Sequence, residues 1–149
     1  MIDPSREQEL NEALELFFFG YREFTAYPDA VLAERGLGRV HHRILYFVGR
    51  NPGVTVGELL SILGVSKQAL NAPLRRLMAE RLVENAVGES DRRARHLRLT
   101  ADGSALEAQL SGSQRERMAG IFAAEGPDRE AAWRAVMRDV AGTQAGWEA

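Results

Sequence analysis

The chain has 149 residues, enough for one domain with extensions and a sizeable core, and its 45% apolar and 27% charged residues suit a globular protein. The absence of cysteine excludes disulfides, thiolate metal sites and thiol redox sensing. No apolar run is long enough for a membrane span, and the N-terminus lacks a secretory signal, so a cytoplasmic protein without membrane contact is expected. The net charge of −2 excludes a uniformly basic nucleic-acid binder, yet residues 64–98 carry eight basic side chains against four acidic ones, leaving an acidic remainder.

In chain order, Ser5-x-x-Gln8 resembles a capping box and opens the first helix. Its stripe of Leu10, Leu14, Phe17, Phe18, Tyr21 and Phe24 steps by three and four residues. The helix is expected to end near Tyr27-Pro28, because proline disfavours helical geometry in the residue before it. Asp29 is placed to cap a short second piece, Ala30 to Arg35, stopped by Gly36-Leu37-Gly38. Val40 to Arg50 forms the next helix, with Ile44, Leu45 and Val48 on its apolar side and Asn51-Pro52-Gly53 ending it. Thr55-x-x-Glu58 is a second capping box. Gly64 supplies the positive φ needed to leave the helix that follows, and Ser66 caps another running to about Arg81. With Leu60, Val65 and Leu70 placed to pack inside, this is a helix-turn-helix.

At 100° per residue, the second helix of that motif divides its residues sharply. Leu70, Leu74 and Leu77 fall on one side; Gln68, Asn71, Ala72 and Arg75 fall on the other. Two amides suited to adenine edges and an arginine suited to guanine or phosphate make this a candidate recognition helix. Gln68 and Asn71 are assigned to bases, Arg75 to base or phosphate, and Ser66, Lys67 and Arg76 to the DNA backbone. Pro73 lies inside the helix, where it cannot donate to the Ala69 carbonyl, and a local kink is expected there.

After Leu82 the period changes. Val83 to Val87 is a strand candidate, Gly88 to Ala94 is polar, and Arg95 to Thr100 alternates with Leu97 and Leu99 inward. That is a β-hairpin with an arginine-rich tip. Thr100 caps a helix from Ala101 through Leu106, Leu110, Met118, Ile121 and Phe122, with Ser111-Gly112-Ser113 expected to bend it. Gly126-Pro127 breaks the chain before a last helix bearing Trp133, Val136 and Val140 on one side. The expected fold is mostly α with a small β-hairpin wing. Residues 1–37 form an N-terminal dimerisation helix and connector, 38–100 a winged helix-turn-helix, and 101–149 C-terminal dimerisation helices. The terminal stripes are wider than the small central module can cover, so burial against a second copy is expected; packing within one chain is the alternative.

The segment Asp91-x-Arg93-x-x-x-Leu97-x-Leu99-Thr100-x-x-Gly103 resembles the wing signature of the MarR (multiple-antibiotic-resistance regulator) family. Nearly the whole chain shares the resemblance, with a helix-turn-helix before the wing and dimer helices at both ends. It implies a homodimeric regulator of double-stranded DNA, usually a repressor. In many such proteins a small aromatic or phenolic effector binds between the dimer helices and the reading head. It also implies that a wing-tip arginine enters the minor groove while the motif's aspartate stiffens the loop. Here the aspartate is Asp91, and Arg92, Arg93 and Arg95 are the available cations, with Arg93 at the motif position.

Other chemistry finds little footing. His41 and His42 are adjacent and point about 100° apart on a helix, so they do not easily share a metal. His41 lies beside Ile44, Leu45 and Val48, which suits a structural histidine; effector contact is the alternative. No nucleophile–base–acid constellation or phosphate loop supports an enzyme, and no cofactor is implied. Phe18, Tyr21, His41 and His42 are the candidate effector residues, the aromatics being otherwise core or dimer contacts. The rival function is a winged helix used only for protein contact.

Overall fold

The computed structural model describes residues 1–86 and 95–142. Six helices and three short strands follow in the order α1 (Pro4–Glu34), α2 (Arg39–Arg50), β1 (Val54–Thr55), α3 (Val56–Leu63), α4 (Lys67–Ala79), β2 (Val83–Asn85), β3 (His96–Leu99), α5 (Ala101–Glu125) and α6 (Pro127–Ala141). The strands form one antiparallel sheet in the order β1-β3-β2. β1 went unpredicted because two residues carry no period. It is held by the Val54–Leu97 register and by Gly53 N–H donating to the Leu97 carbonyl at 2.8 Å. Of the strand expected over Val83 to Val87, β2 takes Val83–Asn85, and Ala86 follows outside it.

α1 corrects two expectations. Its N-cap is Asp3, not Ser5: one Asp3 oxygen accepts from the Ser5 and Arg6 amides at 3.0 and 3.1 Å, with Pro4 opening the helix. The helix also continues through Pro28 to Glu34, so no separate piece begins at Asp29. Proline at 28 cannot donate to the Phe24 carbonyl, but the Gln114 side chain of α5 does so at 3.4 Å. Pro28 and Leu32 are both buried, so packing holds the turn that local preference would have ended. The helix stops at Gly36, whose φ of +68° lets the Leu37 amide reach back to the Leu32 carbonyl at 2.9 Å.

The same closure ends α4 with a different residue. Arg81 takes φ +59° there, and Leu82 N–H bonds the Leu77 carbonyl at 2.9 Å. α4 itself is one helix through Pro73; the expected kink does not interrupt it. Ala69 is exposed, so water can serve the carbonyl that Pro73 leaves free. α5 likewise runs unbroken through Ser111-Gly112-Ser113. Its first turn sits directly on the wing base. A methyl group on Gly103 would lie 1.9 Å from the Leu82 carbonyl oxygen, so only glycine fits. The core centres on the winged helix-turn-helix, where Ile44, Leu45, Leu59, Leu70, Leu77 and Leu97 are sealed from solvent, and takes in Leu32 of α1 and Leu106 and Leu110 of α5. Val65 is the exception to the expected packing: it is exposed at the turn.

Candidate nucleic-acid interface and the cavity behind it

The reading helix is set by three local devices. Thr55 and Glu58 complete a capping box, with the Glu58 amide donating to Thr55 Oγ1 at 3.1 Å and the Thr55 amide to Glu58 at 3.4 Å. Gly64 turns the chain at φ +64°. Ser66 Oγ then accepts from the Ala69 amide at 3.1 Å and starts α4. On α4, Leu70, Leu74 and Leu77 are buried while Lys67, Gln68, Asn71, Ala72 and Arg75 are exposed, the division read from the sequence.

Arg76 is exposed too, but its guanidinium is engaged within the protein. Nε donates to Glu80 at 2.8 Å and Nη2 to the Arg35 carbonyl at 2.9 Å. It braces α4 against the end of α1, a role that helical spacing could not show, since the partner is 41 residues away. In the wing, Arg98 and Glu84 are paired across β2 and β3 at 2.9 Å. Arg95 is exposed just before β3. Asp91, Arg92 and Arg93 lie outside the described residues.

Behind the interface, α1, α2, α5 and α6 enclose an open cavity of about 700 Å³. Tyr21 and His42 line it; Phe18 and His41 do not. Phe18 is exposed on the N-terminal half of α1. His41 does structural work, its Nδ1 accepting from the Gly38 amide at 2.9 Å to cap α2. Burial, and then the Arg76 charge, push its pKa below the ordinary value. His42 Nε2 meets Ser111 Oγ at 2.9 Å, joining α2 to the buried face of α5. Burial likewise lowers the His42 pKa, against opposing pulls from Glu107 and Asp29.

Arg39 and Ser111 were not anticipated. Arg39 grips Asp29 of α1 at 2.8 Å, donates to Thr25 and lies over the Tyr21 ring at 5.3 Å. Ser111 had looked only like a weak helix former, and nothing local marks it as a partner for His42. Among the described residues no cluster of histidine and acids could hold a metal, and no helix is long and apolar enough to cross a membrane.

Comparison with known proteins fits this geometry. The MarR family model matches residues 35–94. The HTH-type transcriptional regulator PetP of Rhodobacter capsulatus is 47% identical over 131 residues, covering 88% of this chain and 79% of PetP. Among solved structures, Streptococcus pneumoniae FabT in complex with DNA shares the fold with a TM-score of 0.75 at 19% identity, over 90% of this chain and 94% of FabT. NadR in complex with 4-hydroxyphenylacetate does so with a TM-score of 0.68 at 20% identity, over 88% of this chain and 94% of NadR. The chain belongs to the MarR family of winged helix-turn-helix, DNA-binding transcriptional regulators.

Proposed function

We propose that the protein is a homodimeric cytoplasmic repressor that reads pseudo-palindromic duplex sites. α4 enters the major groove, with Gln68 and Asn71 on base edges and Ser66, Lys67 and Arg75 at its margin. A wing arginine, supplied from Arg92, Arg93 and Arg95, enters the minor groove, and Asp91 has the family's role of stiffening the loop. The observation that carries this reading is the polar, exposed face of α4 opposite a fully buried leucine stripe. Arg76 is engaged with Glu80 and Arg35, so its contribution is to hold α4 in place.

The dimer rests on the large apolar side chains left exposed on both terminal arms, Leu14, Phe17 and Phe18 on α1 and Val136 and Val140 on α6. Covered by a second copy, they would set two reading helices about 34 Å apart, the spacing of successive major grooves. The cavity behind α2 receives a small aromatic or phenolic effector that releases the DNA. FabT was crystallised with DNA and NadR with 4-hydroxyphenylacetate, which supports both parts by likeness of fold.

Selection of bound sequences from random duplexes tests the reading. A pseudo-palindrome with half-sites about one helical turn apart is the expected product. No enrichment overturns DNA reading, and enrichment of a single half-site overturns the dimer. Transcription in vitro from a promoter overlapping the selected site should fall as protein is added; a rise would make it an activator.

A further inference from the structure

α4 is held in two unlike ways. Leu70, Leu74 and Leu77 bury it in the core, but apolar contact has no direction and leaves a helix some freedom to pivot. Hydrogen bonds do have direction, and among the described residues those tying α4 to the ends of α1 and α5 all lie at its C-terminal end. Thr100 Oγ1, at the N-cap of α5, donates to the Arg81 carbonyl at 2.7 Å, and the Thr100 amide donates to the Leu82 carbonyl at 3.1 Å. The other tie is Arg76, whose Nη2 donates to the Arg35 carbonyl at the end of α1.

Several elements build the Arg76 tie. α1 has no basic residue in its own last turn, so Arg76 brings a cation from another helix to the negative end of the α1 dipole. Glu80 takes Nε at 2.8 Å and aims the guanidinium. Gly36 leaves it room, since a methyl there would lie 3.3 Å from Nη2. Burial, and after it the Arg76 charge, lowers the His41 pKa, so the N-terminus of α2 meets the same junction. Gln68 and Asn71 lie about 12 and 8 Å along the axis from Arg76, at the end of α4 away from both ties. A pivot at the tied end therefore moves the reading end most. In a dimer each α4 is carried by its own arm, and the same pivot changes the distance between the two reading ends.

We propose that Arg76 sets the half-site spacing that the dimer accepts, as a positioning residue that fixes the direction of α4 relative to α1 without touching DNA. Thr100 alone gives one point of attachment, about which α4 can swing; the bond to Arg35, on a different helix, supplies the second. The inference rests on the dimeric DNA reading given above.

Duplexes carrying the selected pseudo-palindrome, with its half-sites moved together or apart by one and two base pairs, test it. Binding of the full chain is measured by fluorescence anisotropy over a range of salt. The wild type should prefer the selected spacing over its neighbours by about tenfold or more. Arg76→Gln should reduce that preference to about threefold or less while the slope of affinity against salt stays in place, because no phosphate contact is lost. Glu80→Ala, which removes the carboxylate that aims the guanidinium, should lose part of the preference, and it carries the test if Arg76→Gln does not fold. Preference kept in full by the folded variants overturns the assignment. A slope lower by about 0.9 in Arg76→Gln makes Arg76 a phosphate contact and overturns it too. Equal binding at every spacing by the wild type overturns the inference and leaves DNA reading standing. Selection that yields no pseudo-palindrome overturns the dimeric reading itself, and the inference with it.

Discussion

Two parts of the molecule carry the same kind of helical stripe and cover it in different ways. In the winged helix-turn-helix, Ile44, Leu45, Val48, Leu59 and Leu77 have no exposed surface at all, because α2, α3, α4 and the sheet close on one another and on Leu32 of α1 and Leu106 and Leu110 of α5. On the arms, Leu14, Phe17, Phe18, Val136 and Val140 keep more than half of their surface in water. Periodicity marks an apolar face equally well in both places. It does not say whether the cover comes from the same chain. The central module is covered within the chain, in part by the near ends of α1 and α5; the outer parts of the arms offer an apolar area that a second copy would remove from water.

The glycines give the hardest test of this contrast. Gly103→Ala should cost roughly 3 kcal/mol or more, because the new methyl meets the Leu82 backbone rather than a side chain that could move. Gly120→Ala, with nothing within 4 Å of the added atom, should raise helix stability by about 1 kcal/mol or less. Urea midpoints of both variants measure the difference. A stable Gly103→Ala would break the account of how α5 docks on the wing base.

Apolar truncation should separate the regions by the property that changes. Leu45→Ala in the head should lower unfolding free energy by about 2–5 kcal/mol. Phe18→Ala on α1 should instead weaken self-association by about tenfold or more, seen as a melting temperature that depends more steeply on protein concentration. If sedimentation shows Phe18→Ala to associate as the wild type does, the first helix is not part of the interface.

The smallest effect lies at the seam between head and arm, where His42 of α2 meets Ser111 of α5. Burial holds the folded pKa of His42 below the ordinary 6.5, so the unfolded chain binds the proton more tightly. Stability is then complete above the unfolded value and declines as pH falls through 6.5 toward the lower folded value. His41 shifts the same way and contributes alongside. His42→Gln should flatten the dependence of the urea midpoint on pH between about pH 7.5 and pH 5, leaving the share due to His41. An unchanged slope would show that the seam does not resist protonation.

Much of the reading head was legible because its signals are local. The Thr55–Glu58 box, the Gly64 turn and the caps at Ser66 and Thr100 each bond within three or four residues and occur as read. The errors lie where a distant group intervened. Pro28 looked like a helix end until Gln114, far along the chain, took the carbonyl it frees. Val65 looked like core, yet it sits at an open turn. His41 and His42 look alike in sequence, but one ring turns back to the Gly38 amide and the other reaches Ser111.

The residues by themselves determined the helix-turn-helix and the division of α4 into a leucine face and a polar face, because caps, turns and periodicity act over a few residues and need no partner; the resemblance to the family came from the order of residue types between Asp91 and Gly103. Only the tertiary structure decided that Arg76 braces α4 instead of standing free. The same is true of the unbroken α1 and of the cavity in which Asp29 holds Arg39 while Arg43 donates to the Tyr21 hydroxyl. Those outcomes depend on side chains tens of residues apart meeting at hydrogen-bond distance, and such meetings are set by how the helices pack.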